Sequence, residues 1–438
     1  MRSLVWMCLV AGTLGLFAGD SYARPTSPPD SVLSINLDSL LAQVERNPTL
    51  RAMRLEAAAL ATRPEQVGAL PDPDVMAGYR PFAIRSVGGI APAEVMARQM
   101  LPYPGKRKLA AETAALGAEA AERNADAAAL DLALDVQHTY YELYRIQQQD
   151  RLAEEFARRL RDFEEVAAVR YEVGQGPQQS ILKAQVERLA LERRRLEYDA
   201  ARRAQLERLA RLTNRPDLAS PQYEVVLTAP TITLPADTGS TERALDRLPE
   251  AEALRLIREQ AEKEIDRARL EYRPDFMIGA GLMDMMPMDG TTRPLSDLDK
   301  RFTIQFGVTI PLQKDKRRAA VREAELRREQ VDARLEALET EIKTKTQDLL
   351  ASLEADEQAL TLYRDVLIPQ AETTVASTLS AYSAGTIGFL DLLDAERMLY
   401  DLRMSYEETL ARYAQTRAAL RRTLGISLSL IAGNRSEP

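Results

Sequence analysis

The sequence predicts a mainly α protein with a small β part, built from two tandem copies of a unit in which a pair of strands precedes a long helical hairpin. Three observations predict this. The chain is 45% apolar with only 5% aromatic residues and is rich in Ala, Leu, Glu and Arg, a bias that belongs to long helices. The run Tyr171-Glu172-Val173-Gly174 through Ala184 has a gap-free copy, 211 residues on, in Tyr382-Ser383-Ala384-Gly385 through Ala395: Gly174 falls on Gly385 and Ile181-Leu182 on Leu392-Leu393. Pro48 and Pro73 recur 201 residues later as Pro249 and Pro274, so helix and strand starts repeat in phase.

Taken in order, residues 1–23 read as a secretory signal: Arg2, an apolar core from Leu4 to Phe17, then small residues at both recognition positions in Ser21-Tyr22-Ala23. Cys8 and Trp6, the chain's only cysteine and tryptophan, lie inside it, so the expected mature chain has no thiol, which suits an oxidising compartment without disulfides. Cys8 comes too early for an acylated lipoprotein cysteine, and no N-terminal lipid is expected. After a Pro/Ser-rich lead, a helix is expected from Leu37 to about Thr62, with Asn47-Pro48 a breaking point. Strands are expected over Asp74 to Arg80 and Glu94 to Leu101, separated by the Val87-Gly88-Gly89 loop.

From Lys106 to about Val173 there is no proline, and a helix of that span is on the order of 100 Å long. Leu132, Val136, Tyr140 and Leu143 mark its apolar seam. Tyr-x-x-Gly closes it, because glycine takes the left-handed conformation that ends a helix. The return helix, about Gln178 to Leu212, carries Leu182, Leu189 and Leu196 in heptad spacing. Residues 24–216 are thus a first repeat, 217–239 an irregular connector at mid-height, 240–428 a second repeat and 429–438 a C-terminal tail. The second repeat offers strands over Asp275 to Met285 and Arg301 to Ile310, then a helix from about Lys314 to Ser380 with Ile342, Thr346, Leu349, Leu353, Leu360 and Leu367 in phase. Such a repeat implies left-handed supercoiling against neighbours. Pro369 interrupts this helix where the first repeat has Arg158, so the second hairpin is the one expected to bend.

Strand 301–310 alternates Phe302, Ile304, Phe306, Val308 and Ile310 against Arg301, Thr303, Gln305, Gly307 and Thr309. A soluble sheet with one buried face alternates in this way, and so does a transmembrane barrel strand. Outside the leader no apolar run approaches the roughly 20 residues of a spanning helix, so any membrane passage must be made by strands.

The net charge of −8 argues against a nucleic-acid partner. Enzymatic activity finds no support: His138 is the only histidine, no Cys/His or Ser/His/Asp set exists, and no phosphate loop sits between strand and helix, so no cofactor is expected. Asp391 and Asp394 share one helix face. They read either as an acidic pair favoured by the helix dipole or, if several tips meet on an axis, as cation-selecting rings. Met277, Met283 and Met285 share a strand face opposite Phe276, Ile278 and Leu282. Thioethers suit soft metals such as Cu(I), and methionine is equally an adaptable filler.

The two-copy plan, the Leu101-Pro102-Tyr103-Pro104-Gly105-Lys106 start of the long helix, the two Tyr-x-x-Gly tips and the Asp391-Leu392-Leu393-Asp394 run resemble the TolC family of outer-membrane efflux channels over roughly residues 37–428. That family includes a heavy-metal branch. The resemblance implies a homotrimer in which four strands per protomer complete an outer-membrane β-barrel and the hairpins form an α-barrel tunnel through the periplasm. It implies the channel component of a tripartite efflux system, a passive duct from periplasm to exterior. Its partners would be outer-membrane lipid, a periplasmic adaptor (membrane fusion) protein and an inner-membrane efflux pump. Its cargo would be metal cations or small toxic compounds. By motif position Asp391 and Asp394 resemble the family's gate, and Arg170, Tyr171, Gly174, Tyr382 and Gly385 its adaptor-docking tips. Only the second copy carries the acidic pair, since Ser180 and Lys183 stand at those places in the first. The competing expectation is a soluble periplasmic coiled-coil adaptor or scaffold.

Overall fold

The computed structural model describes residues 31–79, 90–219, 223–227, 230, 241–286 and 299–426. The signal segment 1–23, the glycine loop 87–89 and the tail 429–438 lie outside the described residues. Two long hairpins dominate. The first is α4 (Lys106–Glu172) and α5 (Gln178–Thr213). The second is α8 (Lys314–Leu362), α9 (Ile368–Ser383) and α10 (Phe389–Thr423). In the bundle α4 packs on both α5 and α10, and α10 packs on α8 and α9, so α5 and α8/α9 form its two flanks.

The α4 seam is as expected: Val136, Tyr140 and Leu143 are buried, with Leu132 packed beside them. The expected α5 seam is not. Ala184 and Leu191 bury against α4, while Leu182, Leu189 and Leu196 are exposed. A single helix with apolar residues on two faces can satisfy only one within the chain; the other belongs to the open flank. Pro369 is answered by a π-helical turn, Tyr363–Leu367, in which the N–H of Ile368 reaches back five residues to the carbonyl of Tyr363. Proline cannot donate to the preceding turn, and a π step is one of the few ways a helix absorbs that loss.

The segment before the first strands breaks up further than expected, into α1 (Leu37–Leu41), a 3-10 turn, α2 (Pro48–Ala61) and α3 (Arg63–Gly68). Asn47 caps α2 by accepting from Thr49 N at 2.8 Å, and it donates to the carbonyl of Leu212 at 2.9 Å, tying this segment to the end of α5. The connector is not irregular throughout: β4 (Tyr223–Leu227) pairs in parallel with β1 (Ser31–Ile35). Nothing local announces a partner so distant in sequence. The second repeat resumes with α6 (Thr241–Arg247) and α7 (Pro249–Leu270).

The remaining strands, β2 (Asp74–Tyr79), β3 (Ile90–Leu101), β5 (Asp275–Met286) and β6 (Asp299–Thr309), form one antiparallel sheet in the order β2-β3-β5-β6, so the two repeats meet edge to edge. β3 begins earlier than expected, with a register irregularity between Ile90 and Ala93. Pro92 lies within it, at one of the few places a strand tolerates proline.

Candidate functional site

Three places gather the residues that the sequence marks out: the tips, the junction between sheet and helices, and the sheet itself. At the tips the repeats fold alike. Gly174 (φ 71°) and Gly385 (φ 75°) are left-handed. Gln175 N donates to Arg170 O at 2.7 Å, and Thr386 N to Ala381 O at 3.0 Å. These six-to-one bonds close a helix only when its next residue turns left-handed, which glycine does without a Cβ penalty. No atom lies within 4 Å of where a Cβ would sit at either glycine, so both positions face open space.

The docking set does not lie on one surface. Tyr171 is exposed, but Tyr382 is 6% exposed and its ring meets Phe389 edge-on at 6.1 Å. Arg170 turns inward. Its Nη2 donates to Tyr382 O at 2.9 Å and Ser383 O at 3.4 Å, and its guanidinium lies 4.1 Å over the Tyr382 ring. Arg170 and Tyr382 therefore lock one tip to the other, leaving Tyr171, Gly174 and Gly385 outward.

Asp391 and Asp394 are both exposed. Asp391 Oδ2 accepts from Gly388 N at 3.0 Å, the reach-back bond of a helix start. Asp394 borders a groove with Gln179, Leu182, Lys183, Val186 and Arg397. The acidic pair thus stands on the outer surface of the single chain, with Asp391 also serving its own helix. His138, on α4, is half-buried, and burial pushes its imidazole below its ordinary value; its carbonyl accepts from Gln415 Nε2 at 3.3 Å.

The junction was missed by sequence reasoning beyond its Pro-Tyr-Pro-Gly-Lys motif. Lys106, 8% exposed, places Nζ 3.0 Å from Asp275 Oδ2 and 3.4 Å from Arg273 O, and Asp275 Oδ1 accepts from Tyr103 N at 2.8 Å. The start of the first long helix is thereby stapled to the first residue of the second repeat's sheet.

The sheet has two unlike faces. Register and alternation place Val75, Val95, Phe276, Leu282, Ile304 and Phe306 on one side, all exposed, Phe306 at 79%. Arg98, Arg301, Glu94, Thr303 and Gln305 lie on the other. Met277 and Met283 are on this polar face. Met285 pairs with Asp299, and its side chain lies outside those described. The sequence reading overlooked Met76, Met96 and Met100, which join them: Met76 stands opposite Met96, and Met100 opposite Met277. The internal repeat could have found one, since Met76 occupies the place in the first copy that Met277 holds in the second.

Residues 241–426 match the family model of the outer membrane efflux protein. No curated protein matches the chain. Among solved structures the chain resembles the outer membrane protein VceC from Vibrio cholerae, with a TM-score of 0.74 and 19% identity over 89% of this chain and 96% of that one. It likewise resembles CusC, described in terms of transmembrane channel formation, with a TM-score of 0.74 and 16% identity over 92% and 95%. The MtrE outer membrane channel of Neisseria gonorrhoeae, in its open state, aligns with a TM-score of 0.70 and 21% identity over 89% and 88%. At such identities the likeness is one of fold.

Proposed function

We infer that this chain, whose second repeat is an outer membrane efflux protein domain, is the outer-membrane channel component of an efflux system. The observation that carries the reading is the two-faced sheet: a row of exposed Phe302, Ile304, Phe306 and Val308 beside a face of Arg, Glu, Thr and Gln. In water such a row is a liability. In a bilayer it is the lipid side of a barrel whose polar side lines the bore. No described helix is long and apolar enough to cross a membrane. A soluble adaptor or scaffold gives this face nothing to rest on, which disfavours that alternative.

A homotrimer supplies what the single chain lacks. β2 and β6 are edge strands with nothing paired beyond them among the described residues. On the bundle's flanks Leu182, Val186, Leu189 and Leu196 of α5 and Leu326, Leu362 and Leu379 of α8 and α9 are exposed. The two flanks differ, so copies meet head to tail, and a closed ring buries both flanks and both edges together. The hairpins then form the tunnel and the sheets the barrel.

In this arrangement the tips lie in the periplasm. Tyr171, Gly174 and Gly385 present the surface for an adaptor protein, Arg170 and Tyr382 hold that surface in shape, and energy comes from an inner-membrane pump. Asp391 and Asp394, brought to the axis three times over, form acidic rings at the constriction; carboxylate rings favour cations. The chain works as a duct rather than as a catalyst.

Fractionation of cells expressing the chain tests the assignment. It belongs with the outer membrane, resistant to carbonate extraction. Recovery in the soluble periplasmic fraction contradicts it and restores the scaffold reading.

A further inference from the structure

The polar face of the sheet holds side chains that its place in a duct does not by itself explain. Among the strand residues whose side chains are described, five methionines project there and none on the apolar face. As filler, a thioether side chain partitions toward the apolar side. Here the reverse holds, and the methionines alternate with Arg98, Glu94 and Arg301.

Three of them surround one carboxylate. Met76 of β2 is opposite Met96 of β3, and Met283 of β5 is opposite Glu94 of β3. Glu94 is two residues from Met96 on the same strand face, and it stands diagonal to Met76. Direct and diagonal cross-strand neighbours are within reach of long side chains. Glycines keep the surrounding floor low. Gly78 lies under the Glu94 side chain, where a Cβ would meet Oε1 at 3.0 Å, and Gly281 faces Met96, where a Cβ would come within 2.9 Å of Val95 O.

We propose that Met76, Met96 and Met283, with the Glu94 carboxylate, form a binding site for a soft monovalent cation, Cu(I) or Ag(I), on the inner wall of the barrel. The inference rests on the duct reading and names a class of cargo for it. Thioether sulfur suits soft ions such as Cu(I) over Mg or Ca, which take oxygen ligands, and the carboxylate balances a single positive charge. The site draws ligands from both repeats and is complete within one subunit. Arg98 Nη2 donates to Met76 Sδ at 2.7 Å, so a cation bound there must displace that contact. The guanidinium is thus a brake on affinity, suited to a site that must release what it binds.

The test uses the full-length protein purified in detergent and titrated with silver nitrate in chloride-free buffer by calorimetry and equilibrium dialysis. Leucine replacement of all three methionines (M76L, M96L, M283L) keeps volume and apolarity. Affinity should fall by at least about tenfold, since removing even supporting groups around a metal costs roughly 10–100-fold. M53L with M398L, on helices, should bind as the native protein does, and R98Q should bind more tightly. Native affinity in the triple variant, or no silver binding by the native protein, overturns the site. Channel conductance is recorded on the same samples. Intact conductance with unaltered silver binding refutes the site and spares the duct, whereas absence of conductance in the native protein strikes the duct itself.

Discussion

Arg170 lies 4.1 Å over the ring of Tyr382 and donates to that residue's carbonyl at 2.9 Å, joining the tip of the first hairpin to the tip of the second. A guanidinium that both covers a ring and caps a helix end does two jobs that lysine cannot share, because lysine lacks the planar fork. R170A and R170K should both broaden the tip-to-tip distance distribution measured by spin labels at Gln175 and Thr386. R170K retains charge, so unchanged distances in R170K with broad ones in R170A would reduce the contact to simple electrostatics.

The Lys106–Asp275 staple is expected to be worth about 2 kcal/mol, the range of hydrogen bonds to a charged group when one partner is largely buried. D275N should lower the thermal unfolding temperature of the purified protein, and K106M with D275N should recover part of the loss, because the double change leaves no unpaired buried charge. A double variant as unstable as the sum of the single ones would deny the coupling.

Gly174 and Gly385 face open space, so alanine at either meets no atom and costs only the left-handed backbone, about 1 kcal/mol. A bulky residue there should reduce cross-linking to the adaptor while trimers still assemble. Undiminished cross-linking would make both glycines structural only.

Glu407 on α10 sits beside Tyr144 and Arg151 of α4, and burial raises its carboxyl above the ordinary value. A carboxyl raised in the folded state binds its proton more tightly there than when unfolded. Its contribution to stability is therefore greatest below the unfolded value and is lost as pH rises through the folded one. E407Q should be more stable than the native protein at pH 8 and lose that advantage by about pH 4. Unfolding curves with the same pH dependence in both proteins would exclude the effect.

Asp391 and Asp394 test the gate. D391A with D394A should raise conductance and weaken cation selectivity in planar bilayers. Asp391 also returns a bond to Gly388 N at the start of its own helix, so D391A alone should cost about 1 kcal/mol of local stability, and D391N, which keeps an accepting oxygen, less. A double variant with native conductance and selectivity would leave the pair as helix-start residues.

Much of this architecture is legible in the residues because its devices are local. Gly174 and Gly385 announce the tips, Pro48 and Pro249 the phase of the repeat, and Phe302 to Ile310 the two faces of β6. Long-range pairings leave no such mark. The joining of β1 to β4 and the placing of Met76 and Met283 on one face of the sheet depend on a register fixed only when the sheet forms. The α5 seam shows a different limit: Leu182, Leu189 and Leu196 signal a packed face without saying whether its partner lies in the same chain. Arg170 and Tyr382 carry no signal of their contact, because each is also an ordinary helix-end residue.

The central claim is that copies of this chain close a water-filled pore through the outer membrane, and single-channel recording of the purified protein in planar bilayers tests it most directly. The account predicts discrete, uniform, cation-selective conductance steps from a particle whose mass is that of three chains. A monodisperse, folded protein that inserts no conductance would contradict it.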